Sequence, residues 1–480
     1  MASVKKFLCI FISVILGFFT YPISFMPSKN DTVFEIPTGM FTEDSMFYNG
    51  EKAEISLGGY DKISDDGSVE FSNTLTLDIE DFSCGWFNYY GISYSADSYL
   101  KGVINYRTGI TEKSEEFFLE KAENLSFYSF IDNCLSGTKA NALISVEFMP
   151  LEKENAKIKI GGISVFNREI PDREIYVENG RCKIGIDLLW GGALSYMEDL
   201  DSNVQAVKVN GKIKVDSNAA ERYGAKSVND NVNLINRNDT GRLIQQSYYG
   251  TNSGSYECGE FMGNKWSYNP VQGGNQLNES SKIVDLKVYE DALYIKCRPL
   301  DWAKEKEYAA PAYMEATYSL KGGLLHASCR FVDFSGYPEA VNTQELPAFY
   351  CVEPLNRFVY YAGNEPWTND SVTVVSDLIF WPDAGYPRFN SSENWSAFIG
   401  EFDDSFGIGL YIPNETEFLA GVYERGKTTK TDPSVDLPTS YIALTKNMLF
   451  KSFSPFEYDF YISTGNVQEI RSSFSAIKEE

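Results

Sequence analysis

The chain has 480 residues, of which 43% are hydrophobic and 15% aromatic, and its 42 Lys and Arg against 67 Asp and Glu give a formal net charge of −25. This charge argues against nucleic-acid binding, which needs cations along a phosphate backbone, and the aromatic content argues against a largely disordered chain. Because there is a single histidine, histidine-based zinc sites and a Ser–His–Asp triad are disfavoured, and any catalysis would depend on carboxylates, amides, tyrosines and arginines.

Residues 1–29 are predicted to be a signal peptide or a membrane anchor. Lys5 and Lys6 form a short basic start, and residues 7–26 carry no charge, which is typical of an export signal. The uncharged run is also long enough to cross a bilayer, so cleavage and retention as an anchor both stay open. The predicted location is therefore secreted or at the cell surface.

Residues 30–170 show short strands separated by turns, which predict a jelly-roll β-sandwich, a possible carbohydrate-binding module. Residues 74–80 alternate between polar and apolar side chains with period two, as a half-buried strand does. Residues 157–160 alternate in the same way, and Gly161 and Gly162 are predicted to end that strand. The other strand candidates are residues 99–106, 115–119, 126–130 and 143–149.

Residues 171–480 continue in β-structure and predict a large antiparallel β super-sandwich. Asn210 and Gly211 supply the positive φ angles of a tight hairpin turn between alternating runs at 206–209 and 212–215. Further strand candidates are residues 289–297, 312–320, 324–334, 406–412 and 455–462. Since no helices alternate with these strands, a βαβ fold is disfavoured. The fold class is therefore all-β.

Only the C-terminal tail is predicted to be helical. Asn466 is placed to cap a short helix, and Glu469 occupies the reciprocal position of a capping box. One face of this helix is apolar and carries Val467, Ile470, Phe474 and Ile477.

The eight cysteines are widely spaced and include no Cys-x-x-Cys pair. This pattern predicts buried small hydrophobic residues and not a disulfide scaffold, a zinc site or a redox motif. No cofactor and no metal are predicted.

Residues 239–275, the glycine-rich segment, differ from the rest of the chain. Seven glycines from Gly241 to Gly274 are interleaved with five Tyr or Trp residues. A sugar ring presents apolar C–H faces and hydroxyl edges, so aromatic rings beside amide, carboxylate and guanidinium groups suit it. The alternative is a long loop that packs its own aromatic residues on the sandwich. The candidate substrate-binding residues here are Arg242, Gln246, Tyr248, Trp266, Asn269, Gln272 and Asn275.

Two further patches share this chemistry. Glu345 stands two residues before Pro347 at a predicted strand end, where its side chain would be held firmly; the alternative is a solvated or salt-bridged glutamate. The second patch combines aromatic and charged residues that add to the substrate-binding candidates, unless it is a surface turn with packed tryptophans. Its candidates are Trp381, Asp383, Arg388 and Trp395.

Three short motifs resemble a known family. Residues 191–197 (GGALSYM) look like the early strand of galactose-mutarotase-like super-sandwich domains, and residues 233–236 and 239–245 are similar to strand-and-loop signatures of that family. The resemblance implies a large antiparallel sandwich with a carbohydrate cleft. The first region resembles the jelly-roll modules that accompany polysaccharide-degrading enzymes.

The sequence departs from the family at the catalytic histidine. Mutarotases use a histidine as acid and a glutamate as base, but the one histidine here, His326, alternates with Ser328 and Arg330 as on the polar face of a strand. His326 is therefore predicted to be structural, and the resemblance does not imply epimerase activity.

The favoured function is an exported glycoside hydrolase that acts on a poly- or oligosaccharide through a pair of carboxylates. Glu345, Glu260 and Asp239 are the catalytic candidates, with Arg242 as a clamp on the substrate or on a carboxylate. Which carboxylate is the acid depends on burial and neighbours, and the sequence leaves it open.

Two alternatives remain. One is a noncatalytic glycan-binding or cell-surface protein, in which tryptophans stack on sugars and carboxylates accept hydrogen bonds. The other, less favoured, is a polysaccharide lyase, in which a tyrosine such as Tyr248 abstracts a proton and Arg242 or an amide holds the uronate carboxylate. The predicted partner is a saccharide, with no nucleic acid and no membrane contact beyond an N-terminal anchor; the oligomeric state is left open.

Overall fold

The computed structural model describes residues 40–48, 51–80, 85–379, 387–402 and 404–478. Antiparallel strands dominate and only two short α-helices occur among these residues, so the all-β prediction is confirmed.

The chain divides into two compact units. The first runs to Asp172 and includes Lys282–Lys287 and Asp333–Gly336. The second comprises Arg173–Ser281, Val288–Val332 and the chain from Tyr337 onward. No helix in the described ranges has the length and hydropathy to span a membrane. The predicted signal or anchor, residues 1–29, lies outside them.

The first unit is a sandwich of two antiparallel sheets. Its strands are β1 (Phe41–Thr42), β2 (Ser45–Tyr48), β3 (Glu51–Gly58), β4 (Lys62–Ile63), β5 (Val69–Phe71), β6 (Leu75–Ile79), β7 (Tyr89–Ala96), β8 (Leu100–Thr108), β9 (Thr111–Leu119), β10 (Ala122–Phe130), β11 (Ala142–Pro150) and β12 (Ile158–Phe166). One sheet has the order β1-β2-β3-β6-β11-β8-β9 and the other β10-β7-β12-β5-β4. Strands close in sequence alternate between the two sheets, as in a jelly roll.

Aromatic side chains join these sheets. The rings of Phe71 on β5 and Phe148 on β11 lie 6.2 Å apart, and those of Tyr90 on β7 and Phe117 on β9 lie 5.9 Å apart. All four rings are buried, so their apolar surface drives the sheets together.

The strand pattern of the first unit follows the sequence, with one correction. On β6 alternate residues are buried, as residues 74–80 predict. The predicted strand end at Gly161 and Gly162 is wrong, because β12 continues to Phe166 and its register against β7 shifts between Ile160 and Gly162. A Cβ on Gly162 would clash with the Met40 Sδ, so glycine serves close packing at a bulge here and does not end the strand.

The second unit contains two large antiparallel sheets. Sheet A has the order β13-β14-β15-β19-β28-β35-β34-β31, with β22 paired to β19 and to β25. Its strands are β13 (Glu174–Glu178), β14 (Cys182–Asp187), β15 (Ala193–Asp199), β19 (Ile244–Ser247), β22 (Pro270–Val271), β25 (Leu300–Asp301), β28 (Ala340–Val352), β31 (Arg388–Asn390), β34 (Glu417–Tyr423) and β35 (Thr439–Phe450).

Within the second unit, the strands of sheet B have the order β24-β26-β27-β36-β33-β32-β29-β30. Its strands are β24 (Ala292–Arg298), β26 (Ala312–Lys321), β27 (Leu324–Asp333), β29 (Leu355–Tyr360), β30 (Thr373–Val375), β32 (Trp395–Gly400), β33 (Gly407–Tyr411) and β36 (Phe456–Gly465). The remaining strands of the second unit are β16 (Val204–Val209), β17 (Lys212–Ser217), β18 (Ser227–Asn229), β20 (Gly259–Phe261) and β21 (Asn264–Trp266). Strand β23 (Lys282–Val288) belongs to the first unit except for its last residue.

Sheets A and B share an aromatic core. Phe331 on β27 and Phe450 on β35 have ring centroids 5.7 Å apart, and the Tyr248 ring stacks on Phe331 at 4.0 Å. This contact of two large antiparallel sheets is the predicted super-sandwich architecture.

The predicted hairpin is confirmed. β16 and β17 pair in register from Val204 to Ser217, and the turn residues Asn210 and Gly211 have φ angles of 50° and 84°. These positive values explain why an Asn-Gly pair occupies the turn.

The C-terminal helix α2 (Val467–Lys478) is also confirmed. Asn466 Oδ1 accepts hydrogen bonds from the Gln468 and Glu469 N–H groups, and Glu469 Oε2 accepts from the Asn466 N–H at 2.8 Å. This is the reciprocal capping box. A second helix, α1 (Ala219–Tyr223), was not predicted, because five residues are too few to show a helical period.

The described cysteines form no disulfide. Five of them are buried and one, Cys258, is half-buried; the buried ones are Cys134, Cys182, Cys297, Cys329 and Cys351. Burial as small hydrophobic residues is therefore confirmed for these five, whereas Cys9 and Cys84 lie outside the described residues.

Candidate functional site

A cavity of about 810 Å³ opens on one face of sheet A. Four adjacent strands, β19, β28, β35 and β34, supply much of its lining. Side chains point to one face at every second residue of a strand, and the lining follows this rule at Gln245 and Ser247, and at Thr439 and Tyr441. The cavity is thus built on four neighbouring strands of sheet A.

Glu345 reaches the cavity because of an irregularity in β28. Glu345 and Ala348 are three residues apart, so in a regular strand their side chains would point to opposite faces. The register against β35 shifts between these two residues, and both line the cavity. The predicted strand end at Pro347 is therefore wrong: Glu345 lies inside β28, and the proline lies at the bulge, where a missing N–H is tolerated.

The carboxyl of Glu345 is held by tyrosines. Tyr441 Oη donates to Glu345 Oε2 at 2.6 Å. Burial raises the pKa of the Glu345 carboxyl above its usual range, against the lowering effect of the hydrogen bonds from Tyr441 and Tyr249. The site therefore favours the protonated form of this carboxyl more than water does.

Four half-buried rings form an aromatic wall: Tyr249, Phe261, Trp266 and Trp302. Their edge-to-face contacts link Tyr249 to Trp266 at 6.2 Å, Trp266 to Phe261 at 5.1 Å and Phe261 to Trp302 at 5.6 Å. Such a chain of rings leaves flat apolar surface on the cavity.

The glycine-rich segment is more regular than the predicted loop, since it contains β19, β22 and the small hairpin β20–β21. The hairpin carries Phe261 and Trp266 to the aromatic wall. Trp266 Nε1 donates to Asn269 Oδ1 at 3.0 Å, and Asn269 Nδ2 donates to the Tyr248 carbonyl at 2.7 Å. Asn269 therefore fixes the tryptophan while it lines the cavity itself.

Arg242 lies between two tyrosines of the cavity. Its guanidinium carbon is 5.3 Å from the Tyr350 ring centroid and 5.5 Å from that of Tyr423. Its buried Nε has no hydrogen-bond partner, and no ion pair of Arg242 occurs among the described residues. The rings hold the guanidinium in place by cation–π contact.

Further charged residues line the cavity in the segment after β34. Lys427 pairs with Glu424, and Arg425 Nη1 lies 3.1 Å from Asp377 Oδ1. Arg425 and Lys427 carry no recognisable motif in the sequence, so they were not among the predicted site residues.

Four predicted substrate-binding residues lie in the core and not on the cavity. Gln246 and Tyr248 alternate with Gln245 and Ser247, so they point to the other side of sheet A, where Tyr248 Oη donates to Gln246 Oε1 at 2.9 Å. Tyr248 is fully buried, so this tyrosine is not available as the base of the lyase hypothesis.

The other two, Gln272 and Asn275, hold the backbone of the glycine-rich segment. Gln272 Oε1 accepts from the Gln246 N–H at 3.2 Å, and Asn275 Nδ2 donates to the Lys304 carbonyl at 2.8 Å. Both side chains are fully buried, so their role is structural.

The remaining candidates are scattered. Trp395 is fully buried and packs on Phe474 of α2, and the exposed Arg388 pairs with Glu417. Trp381 and Asp383 lie outside the described residues.

Of the three candidate carboxylates, only Glu345 lines the cavity. Glu260 is exposed on β20, and Asp239 Oδ1 accepts from the Gly241 N–H at 3.0 Å in a local turn. The structure therefore does not assemble the predicted catalytic set. Gln245 and Tyr249, in the glycine-rich segment, line the cavity although they were not among the predicted site residues. Outside that segment, four more cavity residues carry no motif that would mark them: Trp302, Tyr350, Tyr423 and Tyr441.

Comparisons with known proteins give structural similarity alone: no family model and no curated protein matches the sequence. A galactose mutarotase-related enzyme from Lactobacillus acidophilus is 10% identical over 62% of this chain and 99% of its own, with a TM-score of 0.34. A putative aldose 1-epimerase from Klebsiella pneumoniae is 9% identical over 64% and 86%, with a TM-score of 0.34.

A 4-alpha-glucanotransferase from Thermococcus litoralis is 12% identical over 62% of this chain but only 38% of its own length, with a TM-score of 0.29. Galactose mutarotase-related proteins are therefore among the structures that this chain is similar to.

Proposed function

We propose that the cavity on sheet A is the saccharide-binding site of a carbohydrate-active protein whose substrate is a poly- or oligosaccharide. The observation that carries this proposal is the aromatic wall, which shares one cavity with the carboxyl of Glu345, the amide of Asn269 and the guanidinium of Arg242. The volume of about 810 Å³ is within the range of small-molecule sites.

The chemistry of the lining suits a sugar ring. The apolar C–H face of a pyranose stacks on an aromatic ring, and its hydroxyl groups both donate and accept hydrogen bonds. Beside the rings, Arg242 supplies hydrogen-bond donors and Glu345 supplies a carboxyl, so one ligand satisfies both kinds of surface.

Substitution of the aromatic wall tests this proposal. Trp266→Ala should weaken retention on a panel of immobilised polysaccharides by about 10-fold, since a buried aromatic contact contributes on the order of 1–3 kcal/mol. Trp190→Ala is the matched control, because Trp190 is also half-buried but lies outside the cavity. Equal losses for both variants, or no retention of any glycan by the unaltered protein, would contradict a saccharide site here.

Hydrolysis by Glu345 is a second candidate function. The raised pKa of Glu345 and its place in the cavity favour a general acid, which glycoside hydrolysis requires. The second carboxyl lining the cavity in the described ranges is that of Glu424, which pairs with Lys427. Glu260 and Asp239 lie away from the cavity, so neither is supported as the second carboxyl beside Glu345.

The two functions separate in one experiment. The protein is incubated with the panel, and both retention and new reducing ends are measured. Glu345→Gln should abolish any release of reducing ends while retention persists. If the Glu345→Gln variant releases reducing ends as fast as the unaltered protein, Glu345 is not the acid. If the unaltered protein retains a glycan but releases no reducing ends, its function is binding without hydrolysis.

We also propose that the protein is exported. The support is the basic start at Lys5 and Lys6 followed by the uncharged residues 7–26. Deletion of residues 1–26 should retain the protein inside the producing cell, and the N-terminal sequence of the exported form would separate a cleaved signal from an anchor. Equal export with and without these residues would refute this proposal.

A further inference from the structure

The cavity contrasts in charge with the rest of the protein. The chain has a formal net charge of −25, yet the ionisable side chains lining the cavity include three cations, Arg242, Arg425 and Lys427, and two carboxyls, Glu345 and Glu424. Arg425 and Lys427 each meet a carboxylate, Asp377 and Glu424 respectively. Arg242 has none among the described residues.

Within the part of the chain that the structure describes, Arg242 has no carboxylate as a counterion. Its backbone N–H donates to the Asp239 carbonyl at 3.1 Å, but the Asp239 carboxylate turns to the Gly241 N–H. Two tyrosine rings cover the guanidinium, and its Nε is buried without an acceptor. A partly desolvated cation without a counterion is costly, and an anionic ligand in the cavity would supply one.

Glu345 does not fill this role. Its carboxyl accepts hydrogen bonds from the neutral hydroxyl groups of Tyr441 and Tyr249. Burial also favours its protonated form, as the raised pKa indicates. The cavity therefore combines a fixed positive charge with a carboxyl that resists ionisation.

We infer that the cavity selects a saccharide that carries an oxyanion, either a uronate carboxylate or a sulfate ester, and that Arg242 binds this group. The inference rests on the proposed saccharide site and names the substrate class. A guanidinium donates two parallel hydrogen bonds to a carboxylate or a sulfate, which adds geometric specificity to the charge.

Paired glycans test this inference. Uronate-containing polysaccharides and their carboxyl-reduced forms, sulfated polysaccharides and their desulfated forms, and neutral polysaccharides are immobilised, and retention of the full chain is measured. Retention should fall by about 10- to 100-fold when the anionic group is removed, as expected for loss of a charge-assisted hydrogen-bonded pair. The arm in which this fall occurs identifies the carboxylate or the sulfate.

The outcomes separate this inference from the proposed function. If neutral glycans and glycans without their anionic group are retained as strongly as the anionic ones, the selection for an oxyanion is overturned. The proposed saccharide site would still stand. Retention of no glycan at all would overturn both.

Variants assign the effect to Arg242. Arg242→Gln should remove the preference for the anionic member of each pair, whereas Arg242→Lys should keep part of it because the charge remains. Arg181→Gln is the matched control, since Arg181 is about half exposed and faces the exposed Asp201 away from the cavity. Near-ultraviolet circular dichroism checks that each variant is folded. An unchanged preference in folded Arg242→Gln would overturn the assignment.

Discussion

Glu345 shows how one residue links the cavity to stability. Because burial raises its pKa in the folded state, the folded protein holds this proton to a higher pH than the unfolded chain. The free energy of unfolding therefore decreases as pH rises from the usual carboxyl pKa through the raised one. At pH values below both the folded and the unfolded pKa of Glu345, this residue does not change the free energy of unfolding with pH.

Glu345→Gln should remove this pH dependence. The variant keeps the shape of the side chain and an acceptor for Tyr441, but has no proton to lose. We expect its melting temperature to exceed that of the unaltered protein at pH 8 and to match it near pH 4. Glu290→Gln, at an exposed turn, serves as control. An equal difference at both pH values would contradict the argument.

The alternation of side chains along β19 decides which residues of the glycine-rich segment face the cavity. Gln246 and Tyr248 were predicted to bind substrate, but Gln245 and Tyr249 line the cavity instead. Composition marks a segment as suited to a ligand, whereas the face of each side chain depends on where the strand begins and where it bulges. The pairing of β19 with β28 determines the face on which each of these side chains lies.

At the scale of elements, the C-terminal helix α2 is fastened by a buried ion pair. Arg471 Nε lies 2.9 Å from Glu393 Oε2, and both side chains are almost fully inaccessible. The same carboxylate accepts from Trp395 Nε1 at 2.7 Å. Trp395, predicted to stack on a sugar, thus helps to anchor this helix.

Arg471→Met should destabilise the protein by about 3–5 kcal/mol, because it leaves the Glu393 carboxylate buried without its partner. Loss of the cap in Asn466→Ala should cost only about 1 kcal/mol. Ser472→Ala, on an exposed position of the same helix, should change stability by less than about 0.5 kcal/mol. Urea unfolding followed by circular dichroism measures all three, and similar losses for Arg471→Met and Ser472→Ala would refute the anchoring role.

At the scale of the whole molecule, five of the six cysteines that the structure describes are buried as free thiols in the packed sheets. Burial raises the pKa of the Cys134 and Cys182 thiols to about 12, and raises that of Cys297, Cys329 and Cys351 further. Thiolates are the reactive form, so these five thiols are expected to be inert in the folded protein.

Alkylation with iodoacetamide, read peptide by peptide by mass spectrometry, tests this expectation. Among the cysteines that the structure describes, Cys258 should react first in buffer, and the other five should react only after unfolding in urea. A reductant should not change the midpoint of unfolding. Rapid native labelling of the buried five, or a midpoint shifted by reductant, would contradict this view of the core.

The sequence by itself determined the features that depend on neighbouring residues. The alternation of residues 74–80, the turn at Asn210 and Gly211, and the capping box of Asn466 and Glu469 are local, because their geometry is set by a few adjacent backbone angles and side chains. The all-β class follows from the accumulation of such local signals. The composition of residues 239–275 likewise indicated the segment that supplies part of the cavity.

Only the tertiary structure decided which side chains meet. Glu345 on β28, Tyr441 on β35 and Arg242 before β19 lie far apart in sequence and share a cavity through strand pairing and a bulge. Trp302 completes the aromatic wall from outside the glycine-rich segment, and Glu260 and Asp239 stay away from the cavity. Long-range register selects these neighbours, because each strand presents alternate residues to opposite faces and one residue of shift exchanges them.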